Sequence, residues 1–479
     1  MKKTSWPNRF CLRSQHWPGR SLRGLGLFVC LMNLTSHLLA QSKPILISPE
    51  TQFQRMEGFG ITVGNGAAKE ISKLSATERE RLIDLLFGLG GARFNILRTE
   101  IWWTGKRLAY TSPMYLSGLI YTFSDEENET DQYSLIREAQ KRNEMITYGC
   151  VWTPPPQWKD NNSPVQGGGL PEKNYENYAD YLFGYLVYYK GMRNLDFRVL
   201  GLQNAPDQKS ATQSCLWAPE GLKEFAKVAA RRLKQGGFSP QLLFPEVEWE
   251  QAMAYLKPFW EDPDARPLVS RIGVHSSPGP RPARSLLKDF SQRNNLKLWV
   301  SEFVIPSNAS SRSMDSALNL VETLVRDLTE GDCNAWIYWV PLAPQEWLGR
   351  KGLIERRGDS FKPSKGFWCL SQFSRYIPRD AVRISASNAQ VPMAAFRTPE
   401  YKGVVLVMIN PSLQPVTQEV EVHGWTMERL SAYRTSETED GVQIAISGES
   451  GPRQSISLSP QSVTTVLAEI RRTGSRQTP

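Results

Sequence analysis

In this chain of 479 residues the side chains best placed to do chemistry are carboxylates and tryptophans. Glu302 follows the apolar run LKLWVS, where a carboxylate is costly unless it is used or paired. Similar runs end at Arg98 and Glu100, at Trp152, at Asn204 and Ala205, at Glu246 and Glu248, at His275, and at Trp339. If these ends share one mouth, they suit a carbohydrate: rings stack on aromatic faces while polar groups read hydroxyls. Taken singly, each has a plainer role. Arg98 would serve as a structural ion-pair partner, Trp152 and Trp339 as core filler, and His275 as a satisfied buried histidine.

Other chemistries have less material. Beyond residue 40 only His275 and His423 remain, and His423 falls in a region patterned as plain β-structure. A Ser-His-Asp hydrolase or a multi-histidine metal site would have to be built around His275 alone. Cys150, Cys215, Cys333 and Cys369 are far apart and lack CxxC or Cys/His spacing, so no structural zinc is expected. One or two disulfides stay open, and neither a metal nor an organic cofactor is implied.

The first 40 residues carry Lys2, Lys3, Arg9, Arg13, Arg20 and Arg23 with no acidic residue, then LGLFVCLMNLTSHLLA ending at Ala40. This predicts a signal peptide, and the apolar run is short for a membrane span; a retained amphipathic anchor is the alternative. Its loss takes the formal charge from +9 to +3, which leaves little electrostatic case for nucleic acid. The expectation is a secreted or periplasmic monomer without a transmembrane segment.

Eight apolar runs between Met56 and Leu342 alternate with stretches of helical periodicity. Continuously apolar strands separated by helices imply a parallel sheet, and eight such units a (β/α)₈ TIM barrel. Ser75 with Glu78 three residues later predicts a capped helix start. After Ile377 the texture changes to short strands punctuated by Asn, Pro, Gly and Ser, which predicts a C-terminal antiparallel β-sandwich. The expected organisation is a leader over 1–40, a strand of the side domain within 41–54, a barrel over 55–378, the side domain over 379–470 and a disordered tail over 471–479. In such a barrel the ligand-facing residues come from the C-terminal strand ends, which are the ends named above.

Five ordered motifs carry a family resemblance: MEGFGIT from Met56, VWTPPPQWKDN from Val151, GLQNAPD from Gly201, LWVSEF from Leu298 and FWCLSQFSRYIPRDAVRI from Phe367. Together with LSPQSVTTVL near the end, the chain resembles glycoside hydrolase family 30, a retaining clan with one catalytic glutamate after the fourth strand and one at the seventh. The resemblance implies Glu302 as nucleophile, Asn204 as a donor to the sugar 2-hydroxyl, and Arg98, Trp152 and Trp339 as pocket members. It also places Ala205 where the family carries its acid/base glutamate, and Ser276 and Ser277 where a tyrosine is common. Retaining hydrolysis needs two carboxyls, and alanine supplies neither proton nor base. The expectation is therefore a β-glycoside hydrolase with impaired turnover on xylan, β-1,6-glucan or galactan type substrates, or a carbohydrate-binding pseudoenzyme. A relocated acid among Glu100, Glu246 and Glu248 is the remaining alternative. Arg350 and Lys351, in the loop after the eighth strand, make no convincing glucuronate grip.

Overall fold

The computed structural model describes residues 43–474 except 65, 105, 110–118, 123–126, 306–312, 345–351, 399, 401 and 447–449. The predicted leader, Arg350, Lys351 and residues 475–479 lie outside the described residues.

Eight parallel strands close into a barrel: β1 Gly58–Val63, β2 Ile96–Ile101, β3 Ile146–Val151, β4 Val199–Gly201, β5 Gln241–Glu248, β6 Arg271–Ser276, β7 Lys297–Phe303 and β8 Ala335–Tyr338. They pair in sequence order around the ring, β8 returning to β1 through Ala335 opposite Gly58. Each matches one of the eight apolar runs. Strands β1, β2, β3 and β6 are buried at every position, because their outer faces are covered by helices and their inner faces fill the barrel.

A helix follows each strand. Ala76–Phe87 begins on Ser75, whose hydroxyl accepts the Glu78 N–H at 3.2 Å, the predicted cap, an interaction worth about 1 kcal/mol. Tyr175–Arg193 ends on Asn194 in the left-handed conformation, and Pro219–Gln235 starts on proline, whose missing N–H costs nothing at a first turn.

The floor of the barrel is closed by an ion cluster. Glu57, just before β1, accepts from Arg271 Nε at 3.1 Å and Nη2 at 2.7 Å, from Lys297 Nζ at 2.6 Å and from Trp299 Nε1 at 2.7 Å. Burial opposes its ionisation, but Arg271 and Lys297 outweigh it and hold the Glu57 carboxyl below the usual range.

The side domain is one curled nine-stranded sheet, running from Val442–Ile444 at one edge to Arg453–Leu458 at the other. All its pairs are antiparallel except that of the N-terminal strand Ile45–Arg55 with Val416–Val422. Alternate residues such as Ile45, Ile47, Leu406, Val420 and Leu458 form its own core. Helix Lys365–Ser374 ties this sheet to the barrel: Gln372 Nε2 donates to Thr435 Oγ1 at 3.0 Å, and Thr465 Oγ1 donates to the Gln372 carbonyl at 3.0 Å. The last strand reaches Arg472, two residues into the stretch expected to be disordered. Cys150, Cys215, Cys333 and Cys369 are free and buried.

Candidate active site

Arg98, near the C-terminal end of β2, organises the mouth. Its side chain is fully buried, and its guanidinium donates to Glu302 Oε2 at 3.0 Å through Nη1, and to Asn204 Oδ1 at 2.5 Å and Glu246 Oε2 through Nη2. One planar cation thus fixes side chains from three further strand ends. A buried arginine is tolerable when such partners surround it. Burial disfavours the charge, yet the carboxylates of Glu246 and Glu302 keep the arginine pKa above its ordinary value. The guanidinium also lies 4.7 Å from the Trp152 ring.

Glu246 is committed to this frame. It is 1% exposed, takes the Arg98 charge on one oxygen and the Tyr148 hydroxyl on the other, and lies 3.3 Å from His275 Nε2. Burial raises its pKa, but Arg98 and His275 prevail and hold it below the ordinary value. His275 stands between Glu246 and Glu302, its Nε2 being 3.9 Å from Glu302 Oε2. Burial alone would lower the histidine pKa, and the two carboxylates raise it instead.

Trp152 and Trp339 meet with ring centroids 5.7 Å apart, and the Trp339 backbone N–H donates to the Phe303 carbonyl at 2.7 Å, beside Glu302. Asn204 gives its side-chain oxygen to Arg98, so its NH₂ is the end left for a ligand hydroxyl. The structure therefore brings Glu302, Arg98, Asn204, His275, Trp152 and Trp339 to one end of the barrel.

Ala205 completes the turn after β4. It has φ +43°, a left-handed conformation that costs a non-glycine residue roughly 1–2 kcal/mol. Neighbours enforce it: the Ala205 N–H donates to the Glu246 carbonyl at 3.0 Å, and the Asn204 N–H to the Val151 carbonyl at 2.6 Å. Gln203 supports the turn from below, donating to the Trp152 carbonyl at 2.7 Å and accepting from Trp217 Nε1 at 3.2 Å. The loops after β3 and β4 are also stitched together, because the buried Lys159 donates to the Ser163 and Ser214 carbonyls, both at 2.7 Å.

Several residues of this mouth escaped the strand-end reading. Tyr148 and Cys150 precede Trp152 at alternate positions of β3, and the period-two rule places them on the same inward face. Cys150 Sγ lies 3.5 Å from Arg98, and burial pushes its thiol up to about 11. Trp102 and Trp103, just past β2, stack with centroids 5.9 Å apart and leave both indole N–H groups without hydrogen-bond partners. Among the described residues no group of three or more His, Cys, Asp or Glu side chains converges as a metal site.

A closed parallel barrel with charged residues and tryptophans at its strand ends, joined to a curled side sheet, is the architecture of glycoside hydrolases. The sequence model of glycosyl hydrolase family 59 matches residues 56–346, more than half of the chain, which therefore belongs to that family. The resemblance to family 30 fits the relatives. The chain is 25% identical over 345 residues to the glucuronoxylanase XynC of Bacillus subtilis, covering 67% of this chain and 75% of that protein. It is 22% identical over 411 residues to the lysosomal acid glucosylceramidase of Mus musculus, covering 77% of each. The crystal structure of the family 30 subfamily 8 xylanase Xyn30A from Clostridium acetobutylicum superposes with a TM-score of 0.71 at 24% identity, over 89% of this chain and 99% of that one, and so shares the fold.

Proposed function

We propose that the chain is a secreted β-glycoside hydrolase of retaining type, with Glu302 as its nucleophile and Ala205 at the position that in a two-glutamate site holds the acid/base. The observation that carries this reading is the grip of Arg98 on Glu302 Oε2 at 3.0 Å, in a mouth that also holds Asn204 and the Trp152–Trp339 pair. Gripped by a permanent cation, the Glu302 side chain is oriented for attack on an anomeric carbon. Asn204 would hold the neighbouring hydroxyl, and the indoles the ring faces. The substrates are β-linked poly- or oligosaccharides of xylan, β-1,6-glucan or galactan type.

With no glutamate at position 205, a poor leaving group departs slowly unless another side chain supplies its proton. Substrates that need no protonation then read the nucleophilic step by itself. Incubation with dinitrophenyl β-glycosides should give a burst of dinitrophenol, and azide should speed turnover and yield a β-glycosyl azide. Ala205→Glu should gain activity on oligosaccharides. Ala205 also favours a second reading, a carbohydrate-binding protein without turnover; that reading predicts oligosaccharide binding with neither burst nor azide effect.

A further inference from the structure

Resting on the reading of Glu302 as nucleophile, we infer that Glu248, at the end of β5, supplies the proton that Ala205 cannot. Three observations place it. The Ala205 N–H donates to the Glu246 carbonyl at 3.0 Å, so the β4 turn is laddered to β5 two residues short of Glu248. Glu248 pairs with His275 across β5 and β6, and His275 pairs with Glu302 across β6 and β7, which sets Glu248, His275 and Glu302 in one layer at the rim. Glu248 therefore stands on the strand next to the alanine turn, between it and the nucleophile's strand.

Its chemical state fits the task. Glu248 Oε2 is buried without a hydrogen-bond partner, and Arg281, 3.6 Å away, is engaged by Glu250 at 2.7 Å. The side chain is still 34% exposed, so a leaving group can reach it. Burial raises its pKa; His275 and Arg281 pull down, but Glu250 and Glu302 add to the rise. A carboxyl whose pKa burial raises, in one layer with the Arg98-gripped Glu302, matches the division of labour a retaining site needs.

The other carboxyls are less suited. Glu246 is ionised and enclosed by Arg98, Tyr148 and His275. Glu100 is 3% exposed on β2, separated from the β4 turn by β3 on the side away from the nucleophile. Asp207, on the β4 turn, also has its pKa raised by burial, but its side chain is exposed beyond Pro206 and it is not paired into the layer of Glu248, His275 and Glu302.

In the first step the Glu248 proton passes to the glycosidic oxygen as the anomeric C–O bond breaks and Glu302 Oε bonds to that carbon. In the second, the Glu248 carboxylate takes a proton from water as the water oxygen bonds to the carbon and Glu302 leaves.

The test compares leaving groups. Glu248→Gln should lower kcat/KM on phenyl β-glycosides or oligosaccharides by about 10²–10⁴-fold, change it far less on dinitrophenyl β-glycosides, and raise the azide acceleration of turnover above the parent's. In an Ala205→Glu background the same substitution should matter much less. Asp207→Asn should leave the leaving-group dependence as it is. The parent gives a reading that needs no variant: a shallow dependence of kcat/KM on leaving-group pKa is expected, and a steep one overturns the inference. So does a Glu248→Gln variant as active as the parent on phenyl glycosides, or a loss that follows Asp207→Asn. Loss of the dinitrophenyl burst in Glu302→Gln, with any of these outcomes, leaves the nucleophile assignment standing, so the two readings fail separately.

Discussion

Two carboxylate–arginine clusters occupy opposite ends of the same barrel and are built from nearly the same residue types. At the floor, Glu57 meets Arg271, Lys297 and Trp299, and each of its oxygens has two donors. At the mouth, Arg98 meets Glu246, Glu302 and Asn204, yet Arg98 Nε and Glu248 Oε2 are buried with no hydrogen-bond partner. Buried polar groups are normally satisfied. The floor meets that rule and behaves as a structural bolt, whereas the mouth departs from it at the strand ends where a ligand would sit. Completeness of hydrogen bonding separates the two sites better than charge or composition does.

The sharpest way to break this comparison is to remove one carboxylate from each cluster. Glu302→Gln should reduce turnover of dinitrophenyl β-glycosides by roughly 10⁴-fold or more, as expected when one member of a catalytic unit is lost, while the melting temperature stays close to that of the parent. Glu57→Ala should do the opposite. It leaves Arg271 buried without its carboxylate, which costs on the order of 3–5 kcal/mol, read as a lower denaturation midpoint with kcat of the folded protein within about twofold. A thermally crippled Glu302→Gln or a catalytically dead Glu57→Ala that still folds would reverse the assignments.

The floor also has a predictable pH signature. Because the Glu57 pKa lies below its unfolded value, its stabilisation is present above that value, about 4.3, and disappears as pH falls through the folded one. The stability gap between parent and Glu57→Ala should therefore be constant at neutral pH and shrink in strong acid. A gap that widens in acid would contradict it.

The barrel was legible because a strand buried on both faces must be apolar throughout, and eight such runs stood out between helical stretches. Strand ends then gave Arg98, Asn204, His275, Glu302 and the two tryptophans. Partner choice was not legible. Glu246 and Glu248 are two residues apart and look equivalent in sequence, but a register shift between Pro245 and Val247, with Glu246 at φ +65°, accompanies the engagement of Glu246 by Arg98 while Glu248 pairs with His275 at the rim. Tyr148 was missed because it lies two positions deeper than Cys150 and four before Trp152, below the level at which strand ends were read. The floor cluster was missed for a related reason: Glu57 touches residues 214 to 242 positions away, and no local pattern announces that contact.

The smallest expected effect distinguishes the mouth from the floor by its direction in pH. His275 faces Glu246, Glu302, Arg98 and Glu248, and the carboxylates raise its pKa against the effects of burial and Arg98. Its contribution to stability is therefore complete below the unfolded value, about 6.5, and is lost as pH rises through the folded value. Denaturation of parent and His275→Gln between pH 6 and pH 9 should show a gap that narrows as the imidazole deprotonates. The floor weakens in acid because its carboxylate is held ionised; the mouth weakens in alkali because its histidine is held protonated. A gap unchanged across that range would mean that His275 does not titrate there, and the contrast in pH between mouth and floor would fail.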